Sequence, residues 1–511
     1  LWKPASYFRQ LQEAYLVKRV FDRLAPVEAN GERPLESVLQ HPVATWLASR
    51  SQPPGASRPS WPLYVVAEKI LCEGEPLPED WAIYGTTGYD FLNDLNGLFV
   101  DRRNRGSFDE IYSRFVGVRY NYRNLVNSAK KMIMLVSLAS EVNALSHQLE
   151  RIVKRNRRYR DFTLNSLTFA LREVIACLPV YRTYIDGDAR VVPERDQAYI
   201  AAAVAEAKKR NPRTAEAIFD FIGETLLLRN LDQFRPEDRR PIVEFVMKFQ
   251  QVTGPVMAKG VEDTAFYVYN RLVSLNEVGG NPEQFGLSPT AFHQQSLQRQ
   301  RRWPHSLLAT STHDTKRSED VRARINALSE MPEEWQAALD RWADTNAAKK
   351  VVVDGEMAPD RNDEYLLYQT LLGVWPSEPL TPEEFACFRQ RIADYMHKAT
   401  KEAKVHTSWV NPNEAYDAAV RSFVFNILPD DPQDAFLQDF LAVQRRVAFY
   451  GRLNSLAQVT LKLTAPGVPD LYQGTELWDF SLVDPDNRRP VDFDRRRQLL
   501  GQIRERVERD G

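Results

Sequence analysis

The stretch 306-SLLATSTHDTKRSED-320 sets a short run of small and apolar residues ahead of His313, Asp314, Lys316, Arg317, Glu319 and Asp320. It reads either as a solvated charge run at a strand end or as the lip of an active site. Two other stretches repeat the pattern. Residues 63-LYVVA-67 run into Glu68 and Lys69, and 455-SLAQVTLKLTAPGVPD-470 meets Pro and Gly before Asp470, Tyr472, Gln473 and Glu476. In a barrel of parallel strands the reacting groups stand at the C-terminal ends of the strands and in the loops that follow. Three strand-like runs ending in carboxylates with aromatic or basic neighbours therefore predict an α/β chain with its site spread around such a barrel.

Helical patterning fills the intervals. Residues 82–101, AIYGTTGYDFLNDLNGLFVD, read as a second strand and loop. From about 105 the apolar spacing becomes three and four, and Leu135, Leu138, Val142, Leu145, Leu149 and Ile152 predict one stripe on a single long helix, a stripe that serves core packing. A helix beginning near 163 is expected to stop before Pro179, which has no N–H to donate and disfavours helix in the residue before it. Further helices are expected over 333–350 and 362–375, and 410–435, with its Pro, Asn and Asp, reads as loop-rich.

Composition narrows the function. The 511 residues, 43% hydrophobic and 11% aromatic, can bury a large core. The 67 basic and 69 acidic residues leave a net charge of −2, so no field draws nucleic acid or an anionic membrane, and a neutral substrate fits better. Cys72, Cys177 and Cys387 are far apart and lack metal-ligand spacing, which argues for a reducing, cytoplasmic compartment without zinc. No acidic cluster has calcium-loop spacing, and no cofactor is expected. No apolar run reaches the roughly 18 residues that span a bilayer. The opening LWKPASYFRQLQEAY has neither the basic nor the apolar region of a signal peptide, and it lacks an initiator Met, so a piece of a longer protein is expected.

Paired carboxylates beside Trp and Tyr suggest glycoside chemistry, in which one acid protonates the leaving oxygen and another acts as nucleophile or charge stabiliser. The stretches VVAEKIL, WAIYGTTGYDFLNDLNGLF, GPVMAKGVEDTAFY, NEVGGNP, LLATSTHDTKRSEDVRARI, TSWVNPNEAY and PGVPDLYQGTELWDFSLVDPDNRRPVDF together resemble the maltooligosyltrehalose synthase family of the α-amylase superfamily. The resemblance runs through nearly the whole chain. It implies an incomplete (β/α)8 TIM barrel, strands 5 to 8, with large, mainly α-helical insertions. The implied division is 1–104 with strands 5 and 6, 105–305 a helical insertion, 306–330 strand 7 and its loop, 331–450 further helices, and 451–511 strand 8 and a final helix.

The implied reaction is the intramolecular rearrangement of the reducing-end α-1,4 link of a maltooligosaccharide or other α-1,4-glucan to an α,α-1,1 link. The implied catalytic residues are Glu68, the general acid/base, and Asp314, the carboxylate that favours the oxocarbenium-like transition state. Implied substrate contacts are His313, Arg317, Tyr472 and Gln473, with Tyr89, Asp90, Lys259, Glu262 and Asp263 near the reducing end. The family's nucleophilic Asp lies in a motif resembling RIDHPDGL, and the present opening resembles the sequence just after it, so the nucleophile is expected outside this chain and the chain alone is expected to be inactive. A hydrolase that frees trehalose from the product is the implied pathway partner.

Plainer readings stand beside these. Glu68 and Lys69 by themselves read as an exposed pair at a strand end, Lys259, Glu262 and Asp263 as a surface-helix salt-bridge set, and DPDNRRP as turn residues capping the last strand. At the level of function, a hydrolase or glucanotransferase of the same superfamily and a non-catalytic glucan-binding protein remain alternatives.

Overall fold

A computed structural model of the chain describes residues 1–24, 43, 45, 61–187, 191–229, 231 and 234–510. The chain divides into two compact units: Leu1–Thr87 with Asn121–Ala265 and Leu297–Leu307, and Gly88–Tyr120 with Phe266–Ser296 and Leu308–Gly511.

The first unit is a helical layer with a small patch of paired extended chain. Its main core comes from the apolar faces of the helices Tyr122–Val136, Ala139–Lys154, Leu164–Cys177, Glu194–Arg210, Glu216–Leu226 and Pro236–Met257. Leu149, Leu167, Val174, Phe219, Phe221 and Phe245 are wholly buried there. Such burial, worth about 1.5–3 kcal/mol per large side chain, is the main force holding the layer together. As predicted, a helix stops at Cys177, just before Pro179.

The expected single long helix is instead two, Tyr122–Val136 and Ala139–Lys154, with a turn at Ser137–Leu138. The turn resets the phase. The first helix buries Asn127, Lys130, Ile133 and Met134, the second buries Val142, Leu145, Leu149 and Ile152, and Leu135 is left 56% exposed.

Beside this layer, residues 65–67 lie parallel to 84–87. The Ala67 N–H donates to Gly85 O at 2.9 Å, Thr87 N–H to Ala67 O at 3.1 Å, and Tyr84 N–H to Val65 O at 2.7 Å. The other side of this segment receives Leu307 N–H on Thr86 O at 3.1 Å, while the Ser306 hydroxyl accepts from Thr86 N–H at 3.0 Å. Gly85 is required for that approach, because a Cβ there would lie 2.4 Å from Ser306 Cβ. Residues 63–67 are less buried than expected: only Ala67 is inside, and Tyr64 is 48% exposed.

The second unit is built around the helix Glu319–Ala327, every residue of which is buried. A helix buried on all sides must pair its charges. Here Glu319 faces Lys462 at 3.6 Å, Arg322 faces Glu277 at 3.1 Å, Asp320 accepts from Asp479 N–H at 2.8 Å, and Arg324 donates to Trp375 O at 2.6 Å. The predicted helices at 333–350 and 362–375 are present as Pro332–Asn346 and Arg361–Val374.

Three expectations are corrected in this unit. Of the run 455–470 read as strand-like, 455–464 is the end of the helix Ala435–Thr464, and only Val468–Pro469 is strand. The stretch read as a second strand is mostly the helix Tyr89–Leu98, whose Phe91 and Leu95 pack inward against Leu308 and Phe292. The stretch read as loop contains the helix Glu414–Ile427, started by Asn413, whose side chain accepts from Tyr416 N–H. Its Pro and Asn are helix-start chemistry.

Overall the described residues are mainly helical with few strands. Among the described residues, strands of the length a barrel was expected to supply are not seen: Leu307–Leu308 and Val468–Pro469 are two residues each, and Val351–Val353 with Glu356–Ala358 forms an antiparallel hairpin. Among the described residues no helix is long and apolar enough to cross a membrane.

Candidate active site

In the first unit, the extended chain alternates its side chains: Ala67 is buried, Glu68 exposed and Lys69 buried. That is the period-two geometry of a paired segment, and it turns Glu68 away from the core. Glu68 has no hydrogen bond or ion pair with any other described residue. Lys69 is not the exposed partner that the plainer reading supposed. Its ammonium sits 2.5 Å from Glu75 Oε1, with both side chains 4% exposed, and 5.4 Å from the Tyr184 ring. Glu75 Oε2 in turn accepts from Cys72 N–H at 3.0 Å. A buried pair of this kind anchors the chain that follows Glu68.

Lys259, Glu262 and Asp263 lie on a π-helical segment, Ala258–Ala265, that continues the helix Pro236–Met257. Wide turns of this type recur at functional sites. Lys259 is exposed, Asp263 half-buried, and Glu262 buried, where it accepts a hydrogen bond from the Tyr181 hydroxyl. Burial and the Glu262 charge push Tyr181 well above its ordinary value, so it stays a donor. Gly260 lets Lys130 pack directly against the turn, since a Cβ there would lie 3.0 Å from Lys130 Cα. Burial pulls the Lys130 ammonium down to about 8, and it donates to Leu178 O at 3.0 Å.

In the second unit, hydrogen bonds join candidates from three separated stretches. The Tyr89 hydroxyl lies 3.0 Å from the Thr312 hydroxyl, which also accepts from Asp314 N–H at 3.1 Å. Asn487 Nδ2 donates to His313 O at 2.9 Å, and the Asn487 backbone O accepts from the Tyr472 hydroxyl at 3.2 Å. Leu308 O accepts from Asp470 N–H at 3.1 Å, which aligns the chain ahead of each loop. The outcome is a loop with His313 and Gln473 exposed, and Asp314, Tyr472 and Asp90 half-buried. Asp90 stands in the first turn of Tyr89–Leu98, where the helix N-terminus favours its charge.

Arg317 lies elsewhere. It is 3% exposed and donates to Val273 O at 3.2 Å and to the Tyr395 hydroxyl at 2.8 Å. The neighbouring backbone is held by Glu277, a wholly buried carboxylate that accepts from Lys316 N–H at 2.7 Å, Arg317 N–H at 3.2 Å and the Arg322 guanidinium at 3.1 Å.

Thr312, Glu277 and Asn487 were not singled out by sequence reasoning. Each lies within a quoted stretch, but nothing in NEVGGNP or DPDNRRP marks one side chain as the one that braces a loop far away in the chain. Together these groups present carboxylates, hydroxyls and an amide on a braced loop, an array suited to a neutral polyhydroxylated ligand. Among the described residues no group of three His, Cys, Asp or Glu is placed to hold a metal ion.

Comparison with known proteins gives a consistent result. No protein-family model matches the chain. A Mycobacterium tuberculosis protein with the provisional name maltooligosyl trehalose synthase is 36% identical over 441 residues, 86% of this chain and 51% of its own length. The structure of maltooligosyltrehalose synthase from Arthrobacter ramosus superposes with a TM-score of 0.72 at 34% identity, covering 86% of this chain and 51% of that one. A hypothetical maltooligosyl trehalose synthase of Sulfolobus tokodaii gives 0.66 at 34% identity, over 84% and 51% of the two chains. The chain thus spans about half the length of the relatives it matches.

Proposed function

By sequence and by structure the chain is related to maltooligosyltrehalose synthases over about half of their length, and from that premise we propose that it carries the acid/base half of an intramolecular transglucosylase. The observation that carries the reading is the hydrogen-bonded set Tyr89, Thr312, Asp314, Asn487 and Tyr472, which holds one candidate carboxylate on a braced loop. The paired segments ending at Ala67, Thr87, Leu308 and Asp470 support their reading as the ends of strands 5 to 8 of a (β/α)8 barrel. The division of the sequence into barrel segments and helical insertions is part of the same proposal.

In this mechanism a nucleophilic carboxylate, which we place in the part of the relatives' length that this chain does not span, attacks the anomeric carbon of the penultimate glucosyl unit. Glu68 gives its proton to the departing O4 of the reducing-end glucose. That glucose stays bound and presents its anomeric hydroxyl. Glu68 takes the hydroxyl proton, the new C–O bond forms at the same anomeric carbon, and the carboxylate leaves. Two displacements retain configuration and give an α,α-1,1 link. Asp314 stabilises the charge that develops on the ring in both steps. Exposed His313 and Gln473, and half-buried Tyr472, Asp90 and Asp263, are proposed as sugar contacts, along with Tyr89, Lys259 and Glu262. Arg317 acts by holding the loop. A glucan substrate, a cytoplasmic setting and a downstream trehalose-releasing hydrolase belong to the same reading.

The test uses the complete product of the reading frame that contains Leu1–Gly511, incubated with maltopentaose. Loss of reducing ends with little free glucose is expected. Release of glucose or maltose would assign a hydrolase or glucanotransferase instead, and no turnover with retained binding would assign a glucan-binding protein.

A further inference from the structure

The stretch 407-TSWVNPNEAY-416 takes no part in the site described above. Its polar contacts build something else. Asn413 Nδ2 donates to Asp354 Oδ2 at 3.1 Å, at the tip of the hairpin Val351–Ala358, and the Tyr416 hydroxyl donates to Asp363 Oδ2 at 2.5 Å. The preceding His406 has Nε2 2.8 Å from Asp360 Oδ2, and its ring stacks on Tyr416 with centroids 4.4 Å apart. Asp360 and the hairpin are walls of a cavity of about 380 Å³ within the second unit, which also has Val116, Val118, Tyr120, Met357 and Arg361 in its lining.

That volume lies in the range of small-molecule sites, roughly 300–1,000 Å³. The lining has the mixed character that a sugar ring requires. Tyr120 is half-buried and offers an aromatic ring; it stacks on Tyr112 behind it at 6.0 Å, and its hydroxyl has no hydrogen-bond partner among the described residues. Val116, Val118 and Met357 add apolar surface. Of the charges lining the cavity, Asp360 is paired with His406, and Lys350 and Arg361 with Glu364 at 2.5 and 3.2 Å, while the exposed Glu356 carboxylate has no ion pair with another described residue. The lining's two cations, Lys350 and Arg361, and two carboxylates, Glu356 and Asp360, balance, which favours a neutral ligand rich in hydroxyls over a free anion or cation. A pyranose stacks its apolar face on an aromatic ring and exchanges hydrogen bonds with carboxylates and guanidinium at its edge.

We infer that this cavity is a second saccharide site, holding a short segment of the glucan chain apart from the Asp314 loop. The inference rests on the proposed substrate class.

Calorimetric titration of the 511-residue chain with maltotriose tests it, using the wild type, Ala347→Trp, Tyr120→Ala and Asp314→Asn. Ala347 is an exposed residue of the cavity lining, so a Trp there fills the space without disturbing the core and decides the matter should Tyr120→Ala fail to fold. The expected result is binding that weakens at least tenfold in Ala347→Trp and in folded Tyr120→Ala and persists in Asp314→Asn. Binding that is unchanged in Ala347→Trp, or lost only in Asp314→Asn, overturns the second site while leaving the catalytic reading intact. Absence of maltotriose binding in the wild type also overturns it, whereas the catalytic reading is decided separately by reducing-end loss.

Discussion

Glu277 and Arg322 form an ion pair 3.1 Å apart with both side chains 1% exposed, and the same Glu277 carboxylate accepts from the backbone N–H groups of Lys316 and Arg317. One buried carboxylate thus ties the loop after Asp314 to the helix at the centre of its unit. Glu277→Gln keeps the shape but leaves the Arg322 charge unpaired, a loss of about 3–5 kcal/mol for a buried pair. Urea unfolding should show that loss, and turnover should fall more than substrate affinity. Unchanged stability would mean that the pair does not brace the loop.

Asn487 carries a lighter version of the same task, since its side-chain amide donates to His313 O and its backbone O receives the Tyr472 hydroxyl. Asn487→Ala removes the amide donor at the loop edge and is expected to cost about 1 kcal/mol of stability. The expected kinetic effect is a lower kcat with little change in KM. Steady-state kinetics of the complete reading-frame product on maltopentaose would show it, and a KM effect alone would place Asn487 in ground-state binding.

The buried pair next to Glu68 gives a paired test. Removing one partner by Lys69→Met should destabilise by about 3–5 kcal/mol, because Glu75 is left buried and uncompensated. Lys69→Met with Glu75→Leu should recover most of that loss. Thermal unfolding of the two variants decides it; a double variant as unstable as the single would show that the charges themselves hold the segment.

Stability should depend on pH in a definite direction. Burial, with Asp360 nearby, pushes Asp363 up to about 7, and burial pushes Asp320 up to about 6. A carboxyl raised above its unfolded value binds more protons folded than unfolded between the two values, so its contribution is present at low pH and lost as the pH rises. His406 is raised by its hydrogen bond to Asp360, and its contribution is likewise lost as the pH climbs through the folded value. All three act together, so Tm should fall from about pH 5 to about pH 8, and Asp363→Asn should flatten that decline. A Tm that rises over this interval in the wild type would contradict the assignment.

How much of this was legible in the sequence depends on the range of the interaction. Local signals were: Pro179 ends a helix, and the 3.6-residue patterning of 333–350 and 362–375 matches helices there. The break at Ser137–Leu138 was not, because no Gly or Pro marks it and tertiary burial sets the phase on either side. The Pro, Asn and Asp of 410–435 suggested loop, although Asn413 caps a helix there. Among the candidate residues, Glu68, His313 and Asp314 stood out by type and neighbours. Glu277 and Asn487 did not, since they act across roughly 40 to 175 positions of chain, a range that no local pattern encodes.

The acid/base role of Glu68 is tested most directly by comparing Glu68→Gln with wild type on maltopentaose and on α-maltosyl fluoride, using the complete reading-frame product. Fluoride departs without a proton donor, whereas a sugar oxygen needs one, and general-acid catalysis contributes roughly 10²–10⁴ in rate. The account predicts a loss of that size on maltopentaose with first-turnover fluoride release largely retained, since Glu68 acts as base only after the fluoride has left. Equal losses on both substrates, or no loss on maltopentaose, would contradict it.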